Sequence, residues 1–286
     1  MKTVVIAGLG LIGGSMAKAF RAHTDWRVLG WNRTRAVAEQ ALAEGAIDGI
    51  ADESDIAACD LLIPVLYPRS TIAFLRANIP MMKKGAVIVD LVGVKTAVID
   101  AVEPLAVAHG LRYTGGHPMA GLAKGGFQRS FADLYKGANM ILVPTAATAE
   151  GDLENLGALF QSLGFGRIKV CDKKTHDRMI AHTSQLAHVV SNAYVKSPVS
   201  ANYVGYTGGS YKDMTRIACL NEMIWKELFL YNREALLAET DALIAHIAEV
   251  RDALQDGDEV KLEELLRQGR LCKEEIDRLN SEEPSE

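Results

Sequence analysis

Residues 4–15 read Val-Val-Ile-Ala-Gly-Leu-Gly-Leu-Ile-Gly-Gly-Ser: an apolar run, three glycines spaced G-x-G-x-x-G, and the start of a helical pattern. Glycine-rich turns also serve only to tighten loops, so the reading rests on the strand before this one and the helix after it. Gly8 permits the tight reversal, Gly10 lets backbone approach a pyrophosphate, and Gly13 lets helix and strand pack closely. A helix beginning near Leu11 offers unpaired amides and a positive dipole end to phosphate. Gly8, Leu9, Gly10, Leu11, Ile12 and Gly13 are therefore the candidate contacts for a dinucleotide. A second strand expected at Trp26–Trp31 completes the opening of a Rossmann-type unit. Met1-Lys2 followed by an apolar run also resembles a secretion signal, but glycines at 8, 10, 13 and 14 interrupt it.

The alternation continues. A helix is expected over Arg35–Glu44 with Thr34 as N-cap and Gly45 as stop. Leu61–Leu66 and Ala86–Asp90 read as buried strands, with helices over Ser70–Asn78 and Thr96–His109. Leu111–Gly115, Met140–Pro144 and Arg167–Cys171 read as further strands, and Glu150–Leu163 as a helix. Strands alternating with helices imply a parallel sheet joined by right-handed crossovers. Residues 116–137 interrupt the rhythm as a long mixed loop, a kind that often carries function.

Beyond residue 172 strand signals vanish and helical spacing dominates. The sequence thus predicts an α/β Rossmann-type domain with a parallel sheet over 1–172, followed by an all-α domain over 173–286. Ile224, Leu228, Tyr231, Leu236, Leu243, Ile244, Ile247 and Val250 recur at helical spacing. So much apolar face on about 110 residues suggests burial against a second copy, a homodimer through the helical domain. The polar tail Asn280–Glu286 is expected to be loose.

The bulk numbers exclude several classes. A net charge of −5, from 31 basic and 36 acidic residues, argues against a nucleic-acid surface. No apolar run reaches the ~18–20 residues that span a bilayer. The four cysteines stand far apart with no C-x-x-C, which argues against a zinc ribbon or a disulfide frame and for a reduced, cytoplasmic compartment. No histidine or carboxylate cluster has metal-ligand spacing, so no metal is expected.

In dinucleotide folds the end of the second strand reads the ribose 2′ position. A carboxylate there favours NAD, and a nearby arginine favours NADP. This chain has Asn32-Arg33-Thr34 at that place. Arg33 can pair with a 2′-phosphate and Thr34 can donate to it. NADP is favoured over NAD, which Asn32 could still accommodate through a 2′-hydroxyl.

Among seven histidines, His117 follows a strand at the sheet's carboxyl edge, where ligands of open parallel sheets bind. Its near-neutral pKa suits a general base. Lys95, five residues past Asp90, lies at another strand's carboxyl end. His182, Gln185 and His188 fall three apart and would share one face of a regular helix. Arg216, after the Gly208-Gly209 pair, could clamp a carboxylate bidentately or pair with Asp213.

Together these residues resemble the prephenate dehydrogenases, a family that includes arogenate dehydrogenases of tyrosine biosynthesis. The resemblance rests on Gly8–Ser15, Asp90–Lys95, Gly115–Gly121, Ser184–His188, and Asp213–Arg216 followed by Trp225. It implies a Rossmann half, a helical half that dimerises, and oxidative decarboxylation of prephenate to 4-hydroxyphenylpyruvate with hydride transfer to NAD(P)+. It also implies roles: His117 as the catalytic histidine, Arg216 as the grip on a substrate carboxylate, His188 in the substrate cleft, and Lys95 near the reacting centre. Gly93 departs from the pattern, since many members place a serine there that bonds the catalytic histidine. Leu122-Ala123 stands where Thr-Glu is common. The alternatives are an arogenate dehydrogenase, a 3-hydroxyacid dehydrogenase using Lys196 or Lys212, and a non-catalytic NADP-binding protein.

Overall fold

The computed structural model describes residues 1–122 and 124–282. The apolar run after Lys2 forms β1 (Thr3–Ala7), and the glycine turn leads into α1 (Leu11–His23). There follow β2 (Arg27–Trp31), α2 (Arg35–Ala43), β3 (Gly49–Ile50), α3 (Glu53–Ala58), β4 (Leu61–Pro64), α4 (Pro68–Asn78), β5 (Val87–Asp90), α5 (Thr96–Ala108) and β6 (Arg112–Pro118). Then come β7 (Asn139–Pro144), α6 (Asp152–Ser162) and β8 (Arg167–Val170). The eight strands form one sheet in the order β3-β2-β1-β4-β5-β6-β7-β8.

Both faces of the sheet are covered, which is why its strands read as unbroken apolar runs. Val4 and Ile6 pack with Met16 and Phe20 of α1 and Phe160 of α6. Val5, Leu62 and Ile88 face the other way, onto Leu75 of α4 and Val102 and Ala106 of α5. Each such Val, Leu, Ile, Met or Phe side chain taken fully from water contributes about 1.5–3 kcal/mol. β1 and β4, neighbours in the sheet, flank the switch point of the strand order, and the glycine turn sits at β1's carboxyl end.

The sheet departs from the all-parallel expectation at one edge. β7 runs antiparallel to β6, and β8 is parallel to β7. An antiparallel neighbour needs no helical crossover. The connection from 119 to 138 instead folds into two 3-10 turns, Phe127–Arg129 and Ala132–Tyr135, that pack on α1. Tyr135 donates its hydroxyl to the Ile12 carbonyl at 2.6 Å. The same pairing draws Gly116, His117 and Pro118 into β6, so His117 lies within a strand rather than in the loop after it.

Past Asp172, which caps two amides, the chain forms α7 (Lys173–Ile180), a π-helical turn at Ala181–Leu186, and α8 (Ala187–Tyr194). α9 (Gly209–Thr215) and α10 (Glu222–Tyr231) follow. α11 (Arg233–Asp256) and α12 (Glu259–Glu282) end the described chain. Asn280–Glu282 are thus helical, and 283–286 lie outside the described residues. Contacts divide the chain into two compact units, Met1–Arg233 and Glu234–Glu286. In the second, Leu237, Ile244, Ile247 and Leu254 on α11, and Leu266, Ile276 and Leu279 on α12, are exposed. No described helix is long and apolar enough to cross a membrane.

Candidate active site

The glycine turn is closed by backbone and braced by one side chain. Gly8 takes φ +105°, open to glycine alone at low cost, and donates to the Trp31 carbonyl at 2.8 Å. A Cβ on Gly13 would overlap the Gly8 carbonyl, whereas a Cβ on Gly10 would meet nothing within 4 Å. The turn is therefore tight below and open above, as a pyrophosphate cradle requires. Leu9 donates its amide to Asn32 Oδ1 at 3.0 Å, and Asn32 Nδ2 donates to the Thr34 carbonyl at 3.0 Å. Asn32, expected to meet the ribose, spends its amide bracing the turn against the loop after β2. Arg33 and Thr34 are exposed, and Thr34 starts α2 without a side-chain cap.

His117 is held by a chain of groups from the other side of residue 172. Its Nδ1 lies 2.9 Å from His176 Nε2, and His176 Nδ1 lies 2.8 Å from Asp177 Oδ1. The Asp177 carboxylate also accepts the Lys95 amide (2.8 Å) and the Thr96 amide (2.8 Å), so α7 caps the start of α5. Asn232 fixes this corner by donating to the Asp177 carbonyl at 2.8 Å and to Gln185 Oε1 at 2.8 Å. Burial pushes the His117 pKa well below the usual histidine range, and the proximity of His176 and Lys95 adds to it. Burial lowers His176 as well, against the pull of Asp177. Burial alone would raise Asp177; bonds from His176, Thr96 and Lys95 outweigh it and hold the carboxyl below its ordinary value.

Lys95 lies beside the His117 backbone at the carboxyl end of β5, the region where it was expected, but its side chain is turned inward. It is fully buried beneath β6, with Nζ 2.5 Å from Asp90 Oδ1 and 2.6 Å from the Gly116 carbonyl. The Tyr113 hydroxyl donates to the other Asp90 oxygen at 2.8 Å. Gly115 makes room for this, since a Cβ there would lie 2.9 Å from Lys95 Cδ. The ammonium thus grips the carbonyl preceding His117 from below rather than pointing into open space.

On the opposite side, Gly93 leaves a gap. A Cβ built there would stand 3.6 Å from His117 Nε2 and 3.4 Å from Leu228 Cδ2, ordinary contact distances. Leu228 belongs to α10. One turn earlier on that helix Trp225 stacks on the His188 ring, centroids 3.7 Å apart. His188 Nδ1 lies 2.9 Å from the Ser184 carbonyl, and its pKa is lowered by burial and further by the Arg216 charge. Arg216 is exposed, and among the described residues no ion pair joins it to Asp213. Gly93, His117, Leu228, Trp225 and His188 therefore form one neighbourhood at the sheet's carboxyl edge, with the Arg216 charge acting on His188.

His182, Gln185 and His188 do not share a face. The π turn rotates the helix, leaving Gln185 buried, His188 half-buried and His182 exposed. His176 and Asp177 carry the most consequential contacts, and sequence reasoning passed over them. Their only local signal was an adjacent His-Asp pair behind an aspartate cap, while the partner ring lies 59 residues earlier. Among the described residues no group of three or more His, Cys, Asp or Glu side chains could hold a metal ion.

Residues 16–169 match the family model described as prephenate dehydrogenase, nucleotide-binding domain, and residues 172–268 match prephenate dehydrogenase, dimerization domain. The chain belongs to the prephenate dehydrogenase family. It is 31% identical over 270 residues to a cyclohexadienyl dehydrogenase from Zymomonas mobilis, covering 90% of each chain. It is 27% identical to a prephenate dehydrogenase from Bacillus subtilis, covering 90% of this chain and 71% of that one. Among solved structures it is similar to a prephenate dehydrogenase from A. aeolicus in complex with hydroxyphenyl propionate and NAD+, with TM-score 0.86, 26% identity, and 96% and 98% of the two chains covered. A Synechocystis arogenate dehydrogenase shares the fold, with TM-score 0.81 at 24% identity over 96% and 99% of the chains. As a prephenate dehydrogenase family member the chain is an oxidoreductase with a nucleotide-binding and a dimerisation domain. Ala123, in the loop where the sequence departs from the family pattern, lies outside the described residues. Lys196 and Lys212, the lysines considered for hydroxyacid chemistry, are both exposed.

Proposed function

We propose that the protein catalyses the oxidative decarboxylation of prephenate to 4-hydroxyphenylpyruvate, with NADP+ preferred over NAD+. The observation that carries this is His117 Nε2 facing the gap over Gly93 at the sheet edge that also bears the glycine turn. The nicotinamide dinucleotide, when bound, supplies the hydride acceptor. Gly8, Leu9, Gly10, Leu11, Ile12 and Gly13 hold its pyrophosphate, with Asn32 bracing their turn. Arg33 and Thr34, uncommitted at the end of β2, receive the 2′-phosphate.

His117 acts as base. Its Nε2 takes the proton of the C4 hydroxyl as that carbon is oxidised and a carbonyl forms. Loss of the ring carboxylate as carbon dioxide then makes the ring aromatic, so the step does not reverse. Arg216 grips a substrate carboxylate, charge against charge. His188, held by Trp225, walls the cleft, and Lys95 positions the Gly116–His117 backbone from beneath. Residues 1–172 serve as the cofactor half and 173–286 as the substrate half, which forms a homodimer through the exposed apolar faces of α11 and α12.

Arogenate shares the reacting ring and differs only in its side chain, and it is the second reading. Prephenate, arogenate and a 3-hydroxyacid, each offered with NAD+ and with NADP+ and followed at 340 nm, separate the readings. His117→Asn is expected to abolish turnover while leaving nucleotide binding intact; near-normal turnover would remove His117 as the base.

A further inference from the structure

The contacts around His117 leave one consistent arrangement of protons. Asp177 accepts from two backbone amides, Lys95 N and Thr96 N, and from a ring nitrogen. An ionised carboxylate only accepts, so His176 Nδ1 carries its hydrogen. A neutral imidazole protonated at Nδ1 is bare at Nε2. That bare nitrogen lies 2.9 Å from His117 Nδ1, which must then donate to it. His117 Nε2 is left bare, and this is the atom facing the gap at Gly93.

We propose that Asp177 and His176 are positioning residues that fix the tautomer of His117, presenting an unprotonated Nε2 to the substrate hydroxyl without help from any side chain at position 93. The proposal rests on the reading of His117 as the base. Other groups around it do not supply a competing donor. From β5 and the turn after it, Asp90 and Lys95 satisfy one another; from β6, Tyr113 donates to Asp90; from α10, Leu228 is apolar. During reaction the substrate O–H bond breaks and an N–H bond forms at His117 Nε2. The resulting imidazolium keeps its Nδ1 hydrogen on His176, whose own bond to Asp177 brings a negative charge within two hydrogen bonds. No proton needs to travel to the carboxylate.

Asp177→Asn is the test. Oδ1 takes both the Lys95 amide and the His176 Nδ1 hydrogen while Oδ2 takes the Thr96 amide, so either placement of the asparagine nitrogen sets it against one backbone N–H. In the placement that faces Lys95, it donates to His176 Nδ1. Both imidazoles then reverse, and His117 shows substrate an N–H in place of a lone pair. With prephenate or arogenate, whichever the wild-type enzyme turns over, kcat is expected to fall by about 10²–10⁴, with KM and nucleotide Kd little changed. His176→Gln, whose amide oxygen can accept from His117 Nδ1, should retain more kcat than His176→Leu. Because Asp177 also caps α5, a second measurement does not depend on the variant folding. Nitrogen-15 NMR of the wild-type histidines at pH 7.5, with His117 assigned through His117→Asn, should show Nδ1 protonated and Nε2 bare. A folded Asp177→Asn enzyme whose His117 is protonated at Nε2 by the same NMR measurement, yet whose kcat stays within about fivefold of wild type, would overturn the proposal, since a wrong tautomer costs far more. So would an Nε2-protonated His117 in the wild type. Failure of the wild type to oxidise any substrate would instead count against the assigned reaction, and the NMR result stands apart from it.

Discussion

Replacing Lys95 with methionine separates a lysine that meets substrate from one that holds the sheet. Lys95 and Asp90 side chains are both wholly inaccessible, joined at 2.5 Å. Methionine fills much of the same space but leaves Asp90 charged, with only the Val92 amide at 3.1 Å and the Tyr113 hydroxyl at 2.8 Å. It also strips the Gly116 carbonyl of its donor at 2.6 Å. Breaking a buried pair from one side costs about 3–5 kcal/mol. Adding Asp90→Asn removes the stranded charge, leaving chiefly the orphaned carbonyl at about 1–3 kcal/mol. The double variant should therefore be more stable than Lys95→Met alone, by about 2 kcal/mol. Urea unfolding followed by tryptophan fluorescence, with Trp31 packed on Phe74 as a reporter in the sheet, gives the three free energies. If Lys95→Met loses less than about 1 kcal/mol, or the second substitution only deepens the loss, the buried-pair account is wrong. Unchanged stability with lost turnover would return Lys95 to the substrate.

Four other outcomes are expected. Because His117 is depressed well below 6.5, the acid limb of kcat/KM should lie below the ordinary histidine value. His117, His176 and His188 all have folded pKa values below 6.5, so the unfolded chain binds more protons as pH falls past 6.5. Stability should then decline from there downward, and a Tm that rises on acidification from pH 7 to 5.5 would contradict this. Gly13→Ala forces a Cβ onto the Gly8 carbonyl and should lower Tm, whereas Gly10→Ala meets no protein atom and should keep Tm while weakening nucleotide in a calorimetric titration. Arg216→Gln should raise KM by about 10- to 150-fold, the loss of one charge-assisted contact of about 1.5–3 kcal/mol, with kcat nearly unchanged; an unchanged KM would place the substrate carboxylate elsewhere.

Apart from β3 and the six-residue α3 (Glu53–Ala58), which the sequence reading did not include, the order of strands and helices through β6 was legible because each signal is local. Val4–Ala7 before glycines, and Leu61–Ile63 and Val87–Val89 as unbroken apolar runs, mark strands covered on both faces. The two-residue β3 carries too little pattern to see. The reversal at β7 is invisible for a different reason: Met140–Pro144 would look the same in either direction, and its direction is set by what the preceding connection packs against. The Rossmann turn and His117 could be found by position. The contacts of Lys95 and Asn32 could not, since only packing decides which way each side chain faces. His176 and Asp177 depended on a contact across 59 residues. The π turn removed the regular spacing on which the grouping of His182 with Gln185 and His188 relied.

Asp177 serves two masters with one carboxylate. It is the cap that seats α7 on the first turn of α5, and it is the end of the relay that begins at His117. A swing of α7 away from the sheet would uncap the helix and release the ring's proton to choose its own nitrogen in the same movement. If His117 is the base as proposed, it is competent only while the two layers are latched, and the fastening of the architecture and the readiness of the chemistry become a single event.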